Sequence, residues 1–303
     1  MTKLDRLADR LGRELPELEL RRGEPMSRHT TFKVGGPAAL MALPRTEEEL
    51  LAAARIAQEE GVAPLYVGNG SNLLVDDAGL DAFVVKTAPQ VSRVEVWENT
   101  MRAGAGISLA QLASEAADHG LTGFEFAHGI PGSLGGAVVM NAGAYGGEMC
   151  QVVSWVRAMD DQGQVHELAG DACGFSYRHS RFSQGEWLIL SAAVELAPGD
   201  PAAIRGRMEE LMAKRKAKQP LEYPSAGSTF KRPEGHFAAA LIEGCGLKGL
   251  TVGGAQVSEK HAGFVINTGS ATCRDILALM DQVRERVLRE TGVALEPEVK
   301  YVR

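Results

Sequence analysis

An α+β fold is the class this sequence predicts, and three observations lead to it. Residues 38–67 read as strand, helix, strand; a strand-rich stretch with one clear helix follows, over about 83–197; and the remainder holds two long amphipathic helices. Helices and strands alternate without strict βαβ order, which argues against one doubly wound parallel sheet.

Each element has its own signal. "AALMAL" (38–43) is an apolar run, and Thr46 with Glu49 forms a capping box before "ELLAAARIAQEE", which Gly61 stops. "APLYV" (63–67) completes a βαβ-like unit. The strands expected next are "FVVK", "VSRVEVW", "MRAGA", "VVSWVRAMD", "QVHEL" and "WLILSAAVEL". The helix among them, "LAQLASEAADH", is capped by Ser108 with Gln111 and ended by Gly120. Asp200-Pro201 places an N-cap before proline at the first helical position, with Ile204, Met208, Leu211 and Met212 on one stripe. A last helix over about 272–290 keeps Ile276, Leu279, Met280, Val283 and Val287 in helical period.

Composition excludes several classes. A length of 303 residues suits two or three modest domains. A net charge of −7 disfavours a general nucleic-acid binder, and no stretch approaches the roughly 18 apolar residues of a membrane span. The charged start "MTKLDRLADRLGREL" has no apolar segment of a secretory signal. Four cysteines lie far apart with no C-x-x-C pair, which argues against zinc and against a disulfide frame and fits a reducing cytoplasm. The 35 glycines cluster at 68–70, 104–106, 129–147 and 244–254, a ligand-binding pattern more than a linker pattern.

Two glycine stretches carry chemistry. Gly68-Asn69-Gly70-Ser71-Asn72, followed by Leu73, reads either as a hairpin turn or as a concavity of backbone N–H groups for an anion. "GIPGSLGGAVVMNAGAYGGE" (129–148) puts seven glycines in twenty positions. It is either a loop packed tightly beneath a sheet or a surface against which a planar, phosphate-bearing cofactor is held by main chain. "GCGLKG" (244–249) matches G-x-G-x-x-G formally but follows the helix-like "AAALIE", so the dinucleotide fingerprint is rejected. "YRHSRF" (177–182), "PSAGSTFKRP" (224–233), "LEPEVKYV" (295–302) and the basic run 214–218 each have a plain structural reading as solvated or turn-forming surface.

Taken in order, from "RHTTFKVGG" (28–36) through the two glycine stretches, YRHSRF and PSAGSTFKRP to LEPEV, the chain resembles the UDP-N-acetylenolpyruvoylglucosamine reductase (UDP-N-acetylmuramate dehydrogenase) family of peptidoglycan precursor synthesis. Any one motif is weak; six in register are specific. The resemblance implies an FAD-binding fold of the p-cresol methylhydroxylase and vanillyl-alcohol oxidase type, with two subdomains and a smaller α+β substrate-binding domain. The corresponding segments are an N-terminal helical extension at 1–27, FAD-binding subdomains at 28–90 and 91–199, and a substrate domain at 200–303. Only about ten residues separate Arg178 from "WLILSAAVEL", so the chain looks like the shorter form, without a tyrosine-bearing insertion. Arg232 stands where some relatives have Asn, and an amide contact there is not carried over.

By the same resemblance FAD is bound noncovalently and NADPH donates hydride, in reduction of an enolpyruvyl ether to a lactyl ether. Gly68, Asn69, Gly70, Ser71, Asn72 and Leu73, with Thr31, are implied at the FAD pyrophosphate. Gly129, Ile130, Pro131, Gly132, Ser133, Gly135 and Gly136 are implied along the flavin, as are Asn141, Gly143, Ala144 and Tyr145. Arg178 and Glu298 are implied at the positions that bind and polarise the substrate carboxylate, with Glu298 helping only if it is protonated or donates through a partner, and Ser228 at the proton donor. On chemical grounds Lys231 is a candidate to support Ser228, and Arg215 and Lys218 are candidates for the UDP diphosphate, which needs cations. No metal is implied. A cytoplasmic enzyme acting on a nucleotide sugar, with neither nucleic acid nor membrane as partner, is the resulting expectation. An FAD-dependent oxidase or dehydrogenase of a sugar or hydroxy acid on the same fold is the alternative, and a non-catalytic nucleotide-sugar regulator a more distant one.

Overall fold

The computed structural model describes residues 2–303. Helix α1 (Lys3–Glu14) starts at a true capping box, in which the Thr2 hydroxyl accepts from the Asp5 N–H while the Asp5 carboxylate accepts from the Thr2 N–H. The strand that follows, β1 (Glu19–Pro25), carries four charged side chains in seven residues. Such a strand suits the edge of a sheet, and that is where it lies. The expected helical extension is thus a helix plus an edge strand.

The βαβ-like unit forms as β2 (Pro37–Leu43), α2 (Glu47–Glu59) and β3 (Pro64–Val67). Only half of its expected capping box is made. Thr46 Oγ1 accepts from the Glu49 N–H, but the Glu49 carboxylate accepts from the Arg45 N–H at 2.7 Å. Short β4 (Leu73–Val75) and β5 (Leu80–Lys86) follow. The resulting sheet has the order β1-β2-β5-β3, with β3 and β5 parallel and Val67 opposite Lys86.

Beyond it come β6 (Val94–Trp97), β7 (Thr100–Gly104), α3 (Leu109–Asp118), β8 (Leu121–Thr122), α4 (Leu134–Met140), the hairpin β9 (Gly143–Ala144) and β10 (Gly147–Glu148), β11 (Val153–Met159), β12 (Val165–Ala169), β13 (Leu188–Glu195) and β14 (Ala197–Pro198). Five of these make an antiparallel sheet of order β12-β11-β13-β7-β6. Helix α5 (Pro201–Lys218) begins where Asp200 accepts from the N–H groups of Ala202 and Ala203. The chain ends with α6 (Ala238–Gly244), β15 (Thr251–Val252), β16 (Ala255–Val257), β17 (Val265–Asn267), α7 (Cys273–Thr291) and β18 (Lys300–Val302). Strand β18 lies parallel to β4, with Lys300 opposite Leu73.

The chain folds into two compact units, each discontinuous in sequence. The first takes the N-terminal stretch to Arg22, Ala39–Asn69 and Ala82–Ala213; the second takes Gly23–Ala38, Gly70–Asp81 and Lys214–Arg303. One boundary between them falls inside α5. The first unit has two apolar cores. One packs Leu7 and Leu11 of α1 with Leu50 and Ala53 of α2 and Leu40 and Phe83 of the four-stranded sheet. The other packs Leu112 and Ala116 of α3 and Leu134 and Val138 of α4 with Val156 and Ala192 of the five-stranded sheet. The second unit closes around Ile276, Leu279, Met280, Val283 and Val287 of α7, with Phe32, Leu74 and Phe230.

Candidate functional site: two glycine loops and three polar side chains

In the first unit Gly68 and Asn69, which open the 68–72 loop, leave the C-terminal end of β3, beside the C-terminal end of its parallel neighbour β5. Parallel strands present their carboxyl ends to ligands. Three features mark this edge. A Cβ on Gly68 would stand 2.0 Å from Ser133 Oγ, so the backbone passes directly over that hydroxyl. Ser133 occupies the N-cap of α4 without making a cap bond, is 2% exposed, and its Oγ has no hydrogen-bond partner. Lys86, 8% exposed, donates from Nζ to the Gly68 carbonyl, and burial alone pulls its ammonium pKa down to about 8.

The long glycine stretch divides by function. Gly135 lies against Ala105, where a Cβ would approach to 2.9 Å; one on Gly143 would meet the Gly147 carbonyl at 2.6 Å; one on Gly147 would meet the Phe126 ring at 2.4 Å. Those three glycines serve close packing. Gly136 is exposed, and a Cβ added to it would have only Ser133 Oγ nearby, at 3.6 Å, so its openness answers no demand of the fold. The first amides of α4 are already engaged: Leu134 donates to Ile107 O and Gly135 to Ala105 O.

Asn141, 1% exposed with φ 41°, uses its whole amide inside the protein. Its Nδ2 donates to Glu148 Oε2 and to the Ser176 carbonyl, and its Oδ1 accepts from the Cys150 N–H. The amide therefore ties the glycine stretch to the segment that carries Arg178. There Ser176 and His179 exchange both main-chain hydrogen bonds, leaving Tyr177 and Arg178 at the corner. Arg178 is held at φ 53°, a conformation that costs a non-glycine residue energy and clusters at functional positions. Its guanidinium lies 5.1 Å from the Tyr177 ring centroid and 3.5 Å from the Gly143 carbonyl. Tyr145, in the β9–β10 turn at φ 54°, is 44% exposed.

In the second unit, Gly70 sits at φ 61° against backbone: a Cβ would stand 2.0 Å from the His29 carbonyl oxygen. Its own carbonyl accepts from the Thr31 N–H at 3.3 Å, while Thr31 Oγ1 is buried with no partner. Ser228 is exposed, and the next residue, Thr229, is fully buried and fixes it. Thr229 donates its N–H to Gly263, accepts on Oγ1 from the Val265 N–H, and accepts on its carbonyl from the Glu298 N–H at 2.9 Å. Glu298 is further held through its carbonyl, which accepts from Asn72 Nδ2 at 3.0 Å. Ser228, Glu298 and Asn72 are thereby brought onto one hydrogen-bonded frame.

The cations divide differently. Lys231 forms an ion pair with Glu296 and does not contact Ser228 by any hydrogen bond. Arg232 stacks its guanidinium 3.9 Å from the Phe237 ring centroid. Arg215 is buried on α5 at 9% exposure, while Lys218 at the end of that helix is exposed. Sequence reasoning misses Lys86, whose one signal is a lysine ending an apolar strand near a glycine loop.

Each unit thus carries a buried hydroxyl without a partner, Ser133 in the first and Thr31 in the second. In the first unit, with backbone left bare at Gly68 and Gly136, Ser133 fits a cofactor that brings its own acceptors and is approached by main chain. Among the described residues there is no cluster of three or more His, Cys, Asp or Glu side chains able to hold a metal ion. Nor is any helix among them long and apolar enough to cross a membrane.

Comparison with known proteins agrees with that fit. Residues 38–169 match the family described as FAD binding domain, and residues 219–302 the family described as UDP-N-acetylenolpyruvoylglucosamine reductase, C-terminal domain. The chain is 48% identical over 296 residues to UDP-N-acetylenolpyruvoylglucosamine reductase of Caldanaerobacter subterraneus subsp. tengcongensis, covering 98% of each chain. It is 46% identical over 288 residues to the reductase of Clostridioides difficile, covering 95% of each. Among solved structures it resembles UDP-N-acetylenolpyruvylglucosamine reductase from Thermus caldophilus, with a TM-score of 0.80 and 36% identity over 94% of this chain and 99% of that one.

Proposed function

The chain belongs to the UDP-N-acetylenolpyruvoylglucosamine reductase family, and from that membership we propose that Arg178, Ser228 and Glu298 carry its chemistry. The protein is an FAD-containing oxidoreductase of peptidoglycan precursor synthesis, reducing the enolpyruvyl ether of UDP-N-acetylglucosamine enolpyruvate to UDP-N-acetylmuramate with NADPH. FAD, when bound, would supply the hydride chemistry that this NADPH-dependent reduction of the enolpyruvyl ether needs.

In the first unit, Ser133 and the backbone at Gly68 and Asn69 would hold the cofactor through a buried hydroxyl and main chain; Thr31 and the rest of the 68–72 loop are assigned to it by family membership. Hydride arrival leaves negative charge spread from the adjacent carbon into the substrate carboxylate. Arg178 supplies the cation for that charge, and a preorganised donor at such a position lowers a barrier by about 3–4 kcal/mol. Its φ of 53° is consistent with a side chain whose direction matters more than its backbone comfort. Glu298 assists only if it is protonated or donates through a partner, since a bare carboxylate beside the developing charge is repulsive. Ser228 Oγ gives its proton to the carbon bearing the carboxylate; a hydroxyl is a weak acid, matched to a strongly basic carbanion. Arg215 and Lys218 are assigned to the UDP diphosphate, and a cytoplasmic location, in keeping with four free cysteines, belongs to the same reading.

The observation that carries the assignment is the clamp at Thr229, which holds exposed Ser228 beside the Glu298 backbone through a single 2.9 Å main-chain bond. Its test is anaerobic absorbance of the flavin. NADPH should bleach the purified protein, and UDP-N-acetylglucosamine enolpyruvate should restore the oxidised spectrum. Rapid reoxidation by oxygen with no response to NADPH would point to the oxidase alternative instead.

A further inference from the structure

We propose that Lys86 is the buried counter-charge of the cofactor's diphosphate, acting through the Gly68 peptide and selecting a phosphate-bearing flavin over one without phosphate. The inference rests on the FAD reading and assigns a residue to it that the glycine loops alone do not reveal. Lys86 ends β5 opposite Val67, at the carboxyl edge of the parallel pair, with its side chain turned into the protein and its Nζ on the Gly68 carbonyl. Among the described residues no carboxylate pairs with it, and no charged group contributes to the depression of its pKa; burial alone does. Lysine is almost never buried unpaired, because desolvating an ammonium without an opposite charge is strongly unfavourable. The missing anion must therefore come from outside the chain.

A second observation points to the same place. The Ser133 hydroxyl, 2% exposed and without a partner, lies under Gly68, so the peptide that Lys86 grips also covers an unused hydrogen-bonding group. An ammonium on the Gly68 carbonyl draws electron density along the Gly68–Asn69 peptide and strengthens the Asn69 N–H as a donor. A loop built that way favours an acceptor with full negative charge. A diphosphate brings such charge, and the isoalloxazine ring does not. Lys86 is thus a positioning residue, working through backbone.

The test uses the full chain, stripped of flavin by bromide dialysis and titrated separately with FAD and riboflavin, for wild type, Lys86→Met, Lys86→Gln and Lys86→Arg. Met and Gln should weaken FAD by at least ~10-fold, the scale of one lost charge-assisted interaction, and change riboflavin by less than ~2-fold. Thermal stability of the flavin-free Met variant should hold or rise, since an uncompensated buried charge has been removed. Arg should recover part of the FAD affinity. Equal weakening of both flavins with a lowered melting temperature would make Lys86 a mere brace for the loop and overturn the proposal, as would unchanged FAD affinity in both neutral variants. A wild-type chain that bound neither flavin would instead overturn the cofactor reading beneath it.

Discussion

Asn72 and Glu298 are joined side chain to main chain: the Asn72 amide donates 3.0 Å to the Glu298 carbonyl, across 226 positions of sequence. The neighbouring Lys300 N–H returns the contact on the Asn72 carbonyl at 2.9 Å. The last residue of the GNGSN loop is therefore registered against the segment, just ahead of β18, that bears a proposed catalytic carboxyl.

Asn72→Ala should expose the consequence. Losing a partly buried hydrogen bond and leaving its acceptor unmet lowers stability by about 1–3 kcal/mol. Turnover should fall further than stability explains, because the Glu298 backbone is released. Urea melts and steady-state kinetics on the holoenzyme check this; a destabilised variant with unaltered kcat would mean that the tether serves the fold alone.

Ser228→Ala separates the two half-reactions. Ser228 has no task while NADPH reduces the flavin, so that rate and the FAD content should stay close to wild type. Reoxidation by the enolpyruvyl substrate should slow by at least ~10²-fold, the low end for a positioned general acid. Anaerobic stopped-flow absorbance reads each step alone, and equal slowing of both would make Ser228 structural.

The two loop glycines should respond unequally. A methyl on Gly70 meets the His29 carbonyl at 2.0 Å in a left-handed conformation, so Gly70→Ala must shift backbone. A methyl on Gly68 meets a serine hydroxyl, which can rotate away. Gly70→Val, bulkier still, should lose FAD together with part of the local fold, while Gly68→Ala keeps the fold and loses affinity. Flavin content after gel filtration, alongside circular dichroism, distinguishes them.

Arg178 should trade stability for activity. Arg178→Gly relieves the positive φ and should leave the protein as stable or more so, by up to about 1 kcal/mol, while kcat/KM collapses. Arg178→Ala removes the same cation without relieving the backbone, so both substrate affinity and turnover fall with no gain in stability. Melting temperatures of the two variants, set against their kinetics, decide whether the strain belongs to the side chain's placement.

Lys86 predicts a pH dependence of defined sign. Its pKa falls from 10.5 to about 8 on folding. Between those values the unfolded chain binds more protons, so stability of the flavin-free protein rises with pH there. Below that window both states are protonated and the full destabilisation, on the order of 3 kcal/mol, is present. The stability advantage of Lys86→Met over wild type should accordingly be largest at pH 7 and shrink toward pH 10 in urea melts; a constant advantage would place the lysine pKa at its ordinary value.

Much of this is legible in the chain itself, where information is local. The helix at Asp200-Pro201, the α7 stripe from Ile276 to Val287 and the Gly61 stop rest on periodicity and caps, and they form where expected. Glycine loops announce unusual backbone but not its cause: Gly135, Gly143 and Gly147 answer to packing partners far from view, Ala105, a facing strand and Phe126. The half-made box at Thr46 turns on whether Glu49 meets Thr46 or Arg45. Lys86 is hard to see because its burial comes from tertiary neighbours, and the strain at Arg178 because nothing in YRHSRF specifies a sign of φ.

The interleaving of the two units bears on how the protein is made. The chain passes between them at residues 22/23, 38/39, 69/70, 81/82 and 213/214. During synthesis the segments around Thr31 and Asn72 leave the ribosome early, yet β4 has no partner until Lys300–Val302 emerge. The 68–72 loop thus lacks this contact until residues 300–302 emerge, a pairing of very long sequence separation, the kind that folds slowly. A nascent chain arrested before β18 would hold a completed five-stranded sheet and a loop held at Gly68 and Gly70 but not yet registered on Lys300.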